Sequence, residues 1–203
     1  WIENVLAVQA SGATATAAEN AKVFKSATEE AAAVAAGSGS LLFLPYLNGE
    51  RTPHADPHAR GAFVGLNLTH QRAHMTRAVM EGVTFALRDS LEIIQSLEVP
   101  VKEIRASGGG SKNPLWRQMQ ADVFGQKVTT LKVEQGPAYG VALLAAVGDG
   151  TYKNIEQACK ATIEVASHTV PDRKATKVYN SLFPIYRRLY GNLKVSYADL
   201  SNV

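Results

Sequence analysis

Three consecutive glycines, Gly108-Gly109-Gly110, constrain this chain more than any other feature, because they join a predicted strand directly to a predicted helix. Residues 101–106 are predicted to form the strand. The helix follows at once: Asn113 can cap it, and Pro114 at its first position gives up an N–H that would lack a partner there anyway. This helix is predicted to run to Phe124 and to stop at Gly125. The sequence therefore predicts a strand–glycine–helix corner.

Such a corner suits a flat or anionic ligand. Residues without side chains let a ligand approach the backbone, and the helix start offers free N–H groups at the positive end of its dipole. The Asn113 side chain could cap the helix or touch the ligand. No Gly-Lys-Ser/Thr follows at P-loop spacing, and the run is not the dinucleotide pattern GxGxxG. Phosphate or nucleotide binding and a plain tight turn both remain open on these residues alone.

The rest of the chain alternates strand and helix patterns, which predicts an α/β fold with a largely parallel sheet in the last hundred residues. An amphipathic segment is predicted over residues 1–10. The box Ser26-Ala27-Thr28-Glu29 is expected to begin a helix that stops at Gly37, and Thr69 to begin one that reaches Leu97. The other predicted elements are strands over 41–44, 61–66 and 127–131, and helices over 137–148, 155–161 and 174–190. The last helix is expected to bury Val178, Leu182, Ile185 and Leu189.

Residues 47–60 are long for a connection inside a domain, and such loops are often functional. Within this loop, Glu50-Arg51 could orient a substrate or form an ion pair. Two histidine pairs at four-residue spacing, His54/His58 and His70/His74, invite a metal interpretation, but no Cys or carboxylate pattern completes a site, so surface histidines are favoured.

Tyrosines recur among basic residues in the last thirty positions, at Tyr186, Tyr190 and Tyr197. Aromatic and basic side chains together are typical of interfaces. Tyrosines in a closing helix more often pack locally, and local packing is the favoured interpretation.

Composition excludes several classes of function. The 21 Lys and Arg residues against 18 Asp and Glu give a net charge of only +3, without a run of five like charges, so nucleic acid is not an expected partner. No apolar run approaches the roughly 18 residues of a membrane span, and the residues after Trp1 lack the basic start and apolar core that a signal peptide is expected to have. The single Cys159 excludes an intrachain disulfide, fits a cytoplasmic protein, and is expected to be a small buried residue.

Three separated motifs resemble the FGGY family of carbohydrate kinases, and within it most closely the xylulose kinases. The first is the stretch from Phe43 to His54, with its core Gly49-Glu50-Arg51-Thr52-Pro53-His54. The second matches the family's FGGY signature at Gly61, Phe63, Gly65 and Leu66, followed after a gap by His74, Met75, Ala78, Val79, Met80 and Glu81. The third runs from Gly108 to Asp122 and resembles the adenosine-binding segment, and Gly136-Pro137-Ala138-Tyr139-Gly140 resembles the next helix start.

The resemblance implies a ribonuclease-H-like fold of the actin and hexokinase type. Residues 1–203 would be the C-terminal, nucleotide-side domain, incomplete at its N-terminus. The sugar-binding residues and the aspartate general base lie in the family's N-terminal domain, so no catalytic residue is expected in this chain. Gly109 and Asn113 match family nucleotide contacts most directly, with Gly108 and Gly110 beside them.

The function implied by the resemblance is half of an ATP-dependent kinase that converts D-xylulose to xylulose 5-phosphate. ATP and Mg²⁺ are the implied cofactors, with the ion carried by the phosphates and the N-terminal domain. A homodimer is compatible with the family. Two alternatives stay open: a gluconate or glycerol kinase of the same family, and a non-catalytic actin-like nucleotide-binding module.

Overall fold

A computed structural model describes residues 17–132 and 136–202, and the amphipathic segment predicted over residues 1–10 lies outside them. The α/β class is confirmed. The helices are α1 Ala17–Ala32, α2 Arg72–Ser96, α3 Pro114–Phe124, α4 Gly136–Gly148, α5 Ile155–Thr162 and α6 Arg173–Leu200. The strands are β1 Leu42–Pro45, β2 Gly61–Val64, β3 Ile104–Ala106, β4 Val128–Leu131 and β5 Val165–Thr169. Among the described residues no helix is both long and apolar enough to cross a membrane.

Two compact units divide the elements. Val101–Asp172 forms the sheet unit, with β3–β5 and α3–α5. The residues up to Pro100, together with those from Arg173 onward, form the hairpin unit, with β1, β2, α1, α2 and α6. The expectation that residues 1–203 belong to a single family domain stays a prediction.

In the hairpin unit, the antiparallel pair β1–β2 packs against α2. Phe43 in β1 is buried and contacts Phe63 in β2, with ring centroids 4.6 Å apart. The helix approaches the strand so closely at Gly82 that a Cβ there would lie 2.1 Å from the Phe43 carbonyl oxygen. Only glycine fits this contact, since any larger residue would push the helix off the strand.

A buried ion pair joins α2 to the elements around it. Arg77 and Glu81, one turn apart in α2, are both nearly inaccessible, and the Arg77 Nε donates to Glu81 Oε1 at 2.7 Å. The same carboxylate accepts hydrogen bonds from the Gly37 N–H and the Ser38 hydroxyl in the turn after α1, and from the Tyr179 hydroxyl of α6. Each added donor offsets part of the large desolvation penalty of a buried charge.

The buried face of α6 is not the predicted one. Val178 and Ile185 are exposed, at 38% and 41%, while the aromatic residues one position further along are buried. These buried residues are Tyr179, Phe183, Tyr186, Tyr190 and Tyr197. Aromatic side chains bury more apolar surface than aliphatic ones do. Three of the tyrosine hydroxyls also form buried hydrogen bonds: Tyr186 with Tyr46, Tyr190 with Asp56, and Tyr179 with the Arg77–Glu81 pair. The local-packing interpretation of the tyrosines is confirmed.

In the sheet unit the strands lie in the order β3-β4-β5. Strands β3 and β4 are parallel, with Ile104 opposite Val128, and α3 covers them through the buried Ala121. Strand β5 is antiparallel to β4 and was not predicted. Its sequence, Val-Ala-Ser-His-Thr, is exposed at four of five positions and has no apolar period that could reveal it.

Two predicted helix starts are wrong. Ser26–Glu29 lies inside α1, where the Thr28 hydroxyl donates back to the Lys25 carbonyl at 2.9 Å. Helix α2 begins after Gln71, not Thr69, because Gln71 and His74 exchange side-chain and backbone hydrogen bonds across the first turn. Both errors come from capping side chains that the tertiary structure did not use as caps.

Candidate functional site

The glycine corner lies at the carboxyl end of β3, beside the carboxyl end of the parallel strand β4. Strand β3 ends at Ala106, and a 3-10 turn over Gly109–Lys112 leads into α3. Open α/β sheets bind their ligands at this edge, because the carboxyl ends of parallel strands and the starts of the following helices meet there.

The three glycines of the corner differ in what the fold requires of them. Gly108 adopts φ 80° and ψ −173°, a region that residues with a Cβ avoid. A Cβ on Gly110 would lie 2.9 Å from the Trp116 ring. A Cβ on Gly109 would meet no protein atom within 4 Å. The fold therefore requires glycine at Gly108 and Gly110, while the exposed Gly109 offers a bare backbone to solvent or ligand.

Asn113 caps α3. Its Oδ1 accepts from the Trp116 N–H at 3.1 Å, and Pro114 follows at the first helical position, as predicted. With the carboxamide oxygen engaged in the cap, the amide NH₂ is the part of the side chain that can donate to a ligand. Of the two roles left open for Asn113, the structure shows the cap.

The 3-10 turn is fixed from inside. The Ser111 side chain is buried, and its hydroxyl donates to the Gly108 carbonyl at 2.7 Å. Arg117, one turn into α3, donates from Nη1 to the Ser111 carbonyl. These two contacts hold the exposed Gly108-Gly109 segment in one conformation, so that its backbone need not be ordered by a ligand.

A cleft of about 630 Å³ opens beside the corner, in the range typical of small-molecule sites. Ala106 and Ser107, the two residues just before Gly108, form part of its wall, so the corner begins at the edge of the cleft. Most of the remaining wall is apolar and comes from β4, α4 and α5. Its members include Leu131, Pro137, Tyr139, Gly140, Leu143, Leu144, Ile155, Cys159 and Ile163.

The combination of an apolar cleft and a bare backbone segment fits a ligand with a flat apolar part and a polar or anionic part. The flat part can lie between the apolar walls, where its surface leaves water. The anionic part can reach the Gly109 backbone and the Asn113 amide at the start of α3.

The sequence did not indicate the cleft wall from α4 and α5. Cys159, expected to be buried, is half-exposed and contributes to this wall. The signal that could have found the wall is the composition of α4. Its Gly136–Gly148 sequence contains no charged residue, although only Leu143 is buried and most of its other residues are exposed. An apolar helix with so little buried surface indicates an open cavity or an interface.

The long loop 47–60 is held against α6 by two side chains. The His54 ring stacks on Tyr190 with centroids 3.5 Å apart, and its Nε2 lies 3.2 Å from the Tyr46 hydroxyl. Asp56 is buried and accepts from the Tyr190 hydroxyl at 2.8 Å. Burial lowers the pKa of His54 below its usual value, so the packed ring is neutral near pH 7. The hydrogen bonds from Tyr190 and the His58 N–H lower the pKa of Asp56.

Among the described residues, neither Glu50 nor Arg51 forms a side-chain ion pair. The Glu50 carboxylate instead accepts from the backbone N–H groups of Arg51 and Thr52, at 2.8 and 3.0 Å. The Arg51 side chain is exposed at the surface of the loop. A substrate-orienting role for this pair stays a prediction.

The second histidine pair serves the start of α2. His70 accepts from the Asn67 N–H at Nδ1 and contacts the Gly39 carbonyl through Nε2. His74 accepts from the Gln71 N–H. Over residues 17–132 and 136–202, no group of three or more His, Cys, Asp or Glu side chains is placed to hold a metal ion.

Comparison with known proteins adds to this geometry. Residues 2–148 match the model of the FGGY family of carbohydrate kinases, C-terminal domain. The xylulose kinase of Bacillus subtilis (strain 168) is 42% identical over 162 residues, which is 80% of this chain and 32% of that protein.

Solved structures show the same fold. A ligand-bound xylulose kinase from Lactobacillus acidophilus superposes with a TM-score of 0.82 at 32% identity, over 98% of this chain and 39% of its own. A gluconate kinase from the same organism superposes with a TM-score of 0.80 at 34% identity, over 91% of this chain and 37% of its own. The chain spans about a third of the length of the curated relatives it matches.

Proposed function

Because this chain belongs to the FGGY family of carbohydrate kinases, we propose that it forms the nucleotide-binding part of an ATP-dependent xylulose kinase. The full-length enzyme transfers the γ-phosphoryl group of ATP to a primary hydroxyl of D-xylulose and releases xylulose 5-phosphate and ADP. The observation that carries the proposal is the glycine corner at the end of β3, which directly follows Ala106 and Ser107 in the wall of an apolar cleft.

The chain's own residues bind and orient the nucleotide in this proposal. The cleft walls enclose the base, the Gly108-Gly109-Gly110 backbone faces the ribose or phosphates, and the Asn113 amide donates a hydrogen bond to them. Phosphoryl transfer depends mainly on positioning and on stabilising charge, so a rigid nucleotide site is a direct contribution to the rate.

Mg²⁺ is the ion that kinases of this kind require to neutralise the phosphates. The described residues offer it no cluster of carboxylates or histidines. We therefore assign no Mg²⁺ ligand and no metal-dependent step to this chain.

In this proposal, the sugar site and the general base lie outside this chain. The N-terminal domain of the same protein supplies the sugar site and the aspartate general base, and the reaction takes place in the cytoplasm, where ATP and free sugars meet. A homodimer is compatible with the proposal, which does not depend on it.

The choice of D-xylulose rests on the similarity to proteins named xylulose kinases and on the loop Gly49-Glu50-Arg51-Thr52-Pro53-His54. Gluconate is the second candidate, because a gluconate kinase superposes almost as well as the xylulose kinase. The two acceptors differ in charge, so an enzyme should distinguish them strongly.

The test is a substrate panel on the purified full-length protein. ADP release with saturating ATP is measured for D-xylulose, D-gluconate and glycerol at matched concentrations. We expect the highest kcat/KM with D-xylulose. A higher kcat/KM with gluconate or glycerol would make that compound the proposed substrate in place of D-xylulose. If none of the three gave an ATP-dependent product, the non-catalytic module would be favoured.

A further inference from the structure

Arg117 places a positive charge at the end of α3 where the helix itself disfavours one. The residue lies near the start of the helix, three positions after Pro114. The free N–H groups at a helix start carry partial positive charge, so anionic side chains are favoured there and cations are not. The first turn of α3 contains no acidic residue that would compensate. Arg117 therefore adds to the positive potential that the helix start already creates.

The Arg117 guanidinium has no counter-charge in the part of the protein that the structure describes. Its Nη1 donates to the Ser111 carbonyl at 2.5 Å, and its Nε is buried without a hydrogen-bond partner. Among the described residues, no carboxylate forms an ion pair with it. Withdrawing a cation from water without an opposite charge is unfavourable. A departure of this kind from the usual pairing is expected at a functional site, where a ligand can supply the missing charge.

The turn that Arg117 contacts has its carbonyl groups engaged and two of its N–H groups available. The Gly108 carbonyl accepts from the N–H and from the hydroxyl of Ser111, and the Ser111 carbonyl accepts from Arg117. The N–H groups of Gly109 and Gly110 have no acceptor among the described residues. Successive free N–H groups in a tight turn suit an anion. The guanidinium and these two donors therefore belong to one small positively charged region.

We propose that Arg117 is a positioning residue of the nucleotide site: it holds the turn through the Ser111 carbonyl and supplies the charge that favours phosphate there, without touching the ligand. The inference rests on the proposed nucleotide site and adds a residue that the direct contacts of that site do not include. A charge acts over several ångströms through partly buried protein, whereas a hydrogen bond needs contact. Arg117 should therefore matter for a nucleotide that carries phosphates and much less for a nucleoside.

ADP and adenosine separate the charge of Arg117 from its hold on the turn, because the two ligands share the base and the ribose and differ in the phosphates. The dissociation constant for ADP is measured by calorimetry on the full-length protein without sugar, and that for adenosine by its displacement of ADP. Arg117→Gln keeps an N–H donor and removes the charge. The constant should rise by about tenfold for ADP and by less than about twofold for adenosine. An equal rise for both ligands would overturn the inference, since a disturbed turn weakens both.

Two further variants control for charge and for place. Arg117→Lys keeps the positive charge, so its constant for ADP should stay within about threefold of the wild-type value, and a loss as large as that of Arg117→Gln would contradict the role of the charge. Arg105→Gln makes the same change in net charge at an exposed arginine of the same unit, which is paired with Glu103. It should leave both constants within about twofold of wild type. An equal effect in Arg105→Gln would mean that net charge matters and the place of Arg117 does not.

Urea unfolding shows whether each variant folds, and Arg117→Met, which keeps the length of the side chain, replaces Arg117→Gln if that variant does not. The wild-type protein separates this inference from the proposed function. ADP binding without phosphorylation of any sugar would end the kinase proposal and leave the test of Arg117 intact. No ADP binding to the wild-type protein would overturn both. ADP binding with equal losses for ADP and adenosine in Arg117→Gln would overturn the role of Arg117 alone.

Discussion

At the residue scale, the glycine corner separates what the fold needs from what a ligand needs. Gly108 is fixed by its backbone conformation and Gly110 by the Trp116 ring, so substitutions at either would disturb the turn itself. Gly109 and the NH₂ group of Asn113 carry no such requirement, whereas the Asn113 oxygen caps α3. Substitution of Gly109, or of Asn113 by a residue that keeps the capping oxygen, therefore tests nucleotide binding without damaging the fold.

Gly109→Val should raise the KM for ATP in the full-length protein by about tenfold or more, equivalent to roughly 1.4 kcal/mol of lost binding. A Cβ at this position meets no protein atom within 4 Å, so the added side chain is expected to obstruct a ligand and not the fold. Gly191→Val is the matched control, because a Cβ at Gly191 in α6 also meets nothing. Steady-state kinetics give both KM values, and an unchanged KM in Gly109→Val would remove this residue from the site.

Asn113→Asp and Asn113→Ala should separate the cap from the ligand contact. Aspartate caps a helix as well as asparagine, so Asn113→Asp should keep the stability while its carboxylate repels the phosphates and raises the KM for ATP. Asn113→Ala should lower the free energy of unfolding by about 1 kcal/mol. Urea unfolding and ATP kinetics are measured on both variants. Wild-type ATP kinetics in Asn113→Asp would show that Asn113 is a cap alone.

At the element scale, α6 and the loop 47–60 depend on one another. The loop has little regular structure of its own, yet His54 stacks on Tyr190 and Asp56 accepts from the Tyr190 hydroxyl. Burial and the hydrogen bond to Asp56 raise the pKa of Tyr190 to about 12, so its hydroxyl keeps its proton and continues to donate at any physiological pH. The loop is thus held in place by a helix more than a hundred residues away in the chain.

The His54 contact predicts a pH-dependent stability. Burial holds the folded pKa of His54 below its unfolded value near 6.5, so on acidification the unfolded state takes up the proton first. The free energy of unfolding should therefore fall as the pH drops through about 6.5 and continue to fall until the folded pKa is passed. Urea unfolding at pH 7.5 and 5.5, followed by circular dichroism, measures this loss.

His54→Phe keeps an aromatic ring against Tyr190 and removes the titrating group, so the difference between the two pH values should shrink. His58→Phe is the control, because His58 is an exposed histidine of the same loop. An equal effect of both variants would mean that the pH dependence of the free energy of unfolding does not come from the stacked His54 ring.

The Arg77–Glu81 pair predicts that the two residues contribute to the free energy of unfolding together and not independently. Glu81→Met leaves the Arg77 guanidinium buried without its carboxylate, which should lower the free energy of unfolding by about 3–5 kcal/mol. The double variant Arg77→Met/Glu81→Met removes both charges and should lose less than the single variant does. Denaturant unfolding of the two proteins measures the difference, and a larger loss in the double variant would contradict the argument from desolvation.

At the scale of the whole molecule, the nucleotide site is proposed to lie within the sheet unit alone. Every residue assigned to it falls within Val101–Asp172. The sugar site and the general base are assigned to other parts of the full-length protein. Nucleotide binding and catalysis should therefore be separable.

The 203-residue chain by itself should not phosphorylate D-xylulose, since it supplies neither a base nor a sugar site in the proposed mechanism. A coupled assay of ADP release, with the full-length protein as the positive control, gives the answer. ATP-dependent formation of xylulose 5-phosphate by the chain alone would overturn this division of roles.

The sequence alone determined the parts of the structure that depend on near neighbours. The glycine corner, the Asn113 cap with Pro114 after it, and the helix stop at Gly125 are set by residues within one turn of each other, and the structure has all of them. The family motifs are likewise local runs of residues. Caps and left-handed turns are chosen by short-range sterics and hydrogen bonds, so their pattern survives in the sequence.

Only the tertiary structure decided the features that depend on distant partners. These are the buried aromatic face of α6, the Arg77–Glu81 pair with donors from Gly37 and Tyr179, strand β5, and the apolar cleft. A polar or aromatic side chain becomes a core residue only when the surrounding elements supply its hydrogen-bond partners. Glu81 finds its partners 44 and 98 residues away, a distance over which no periodicity in the sequence carries information.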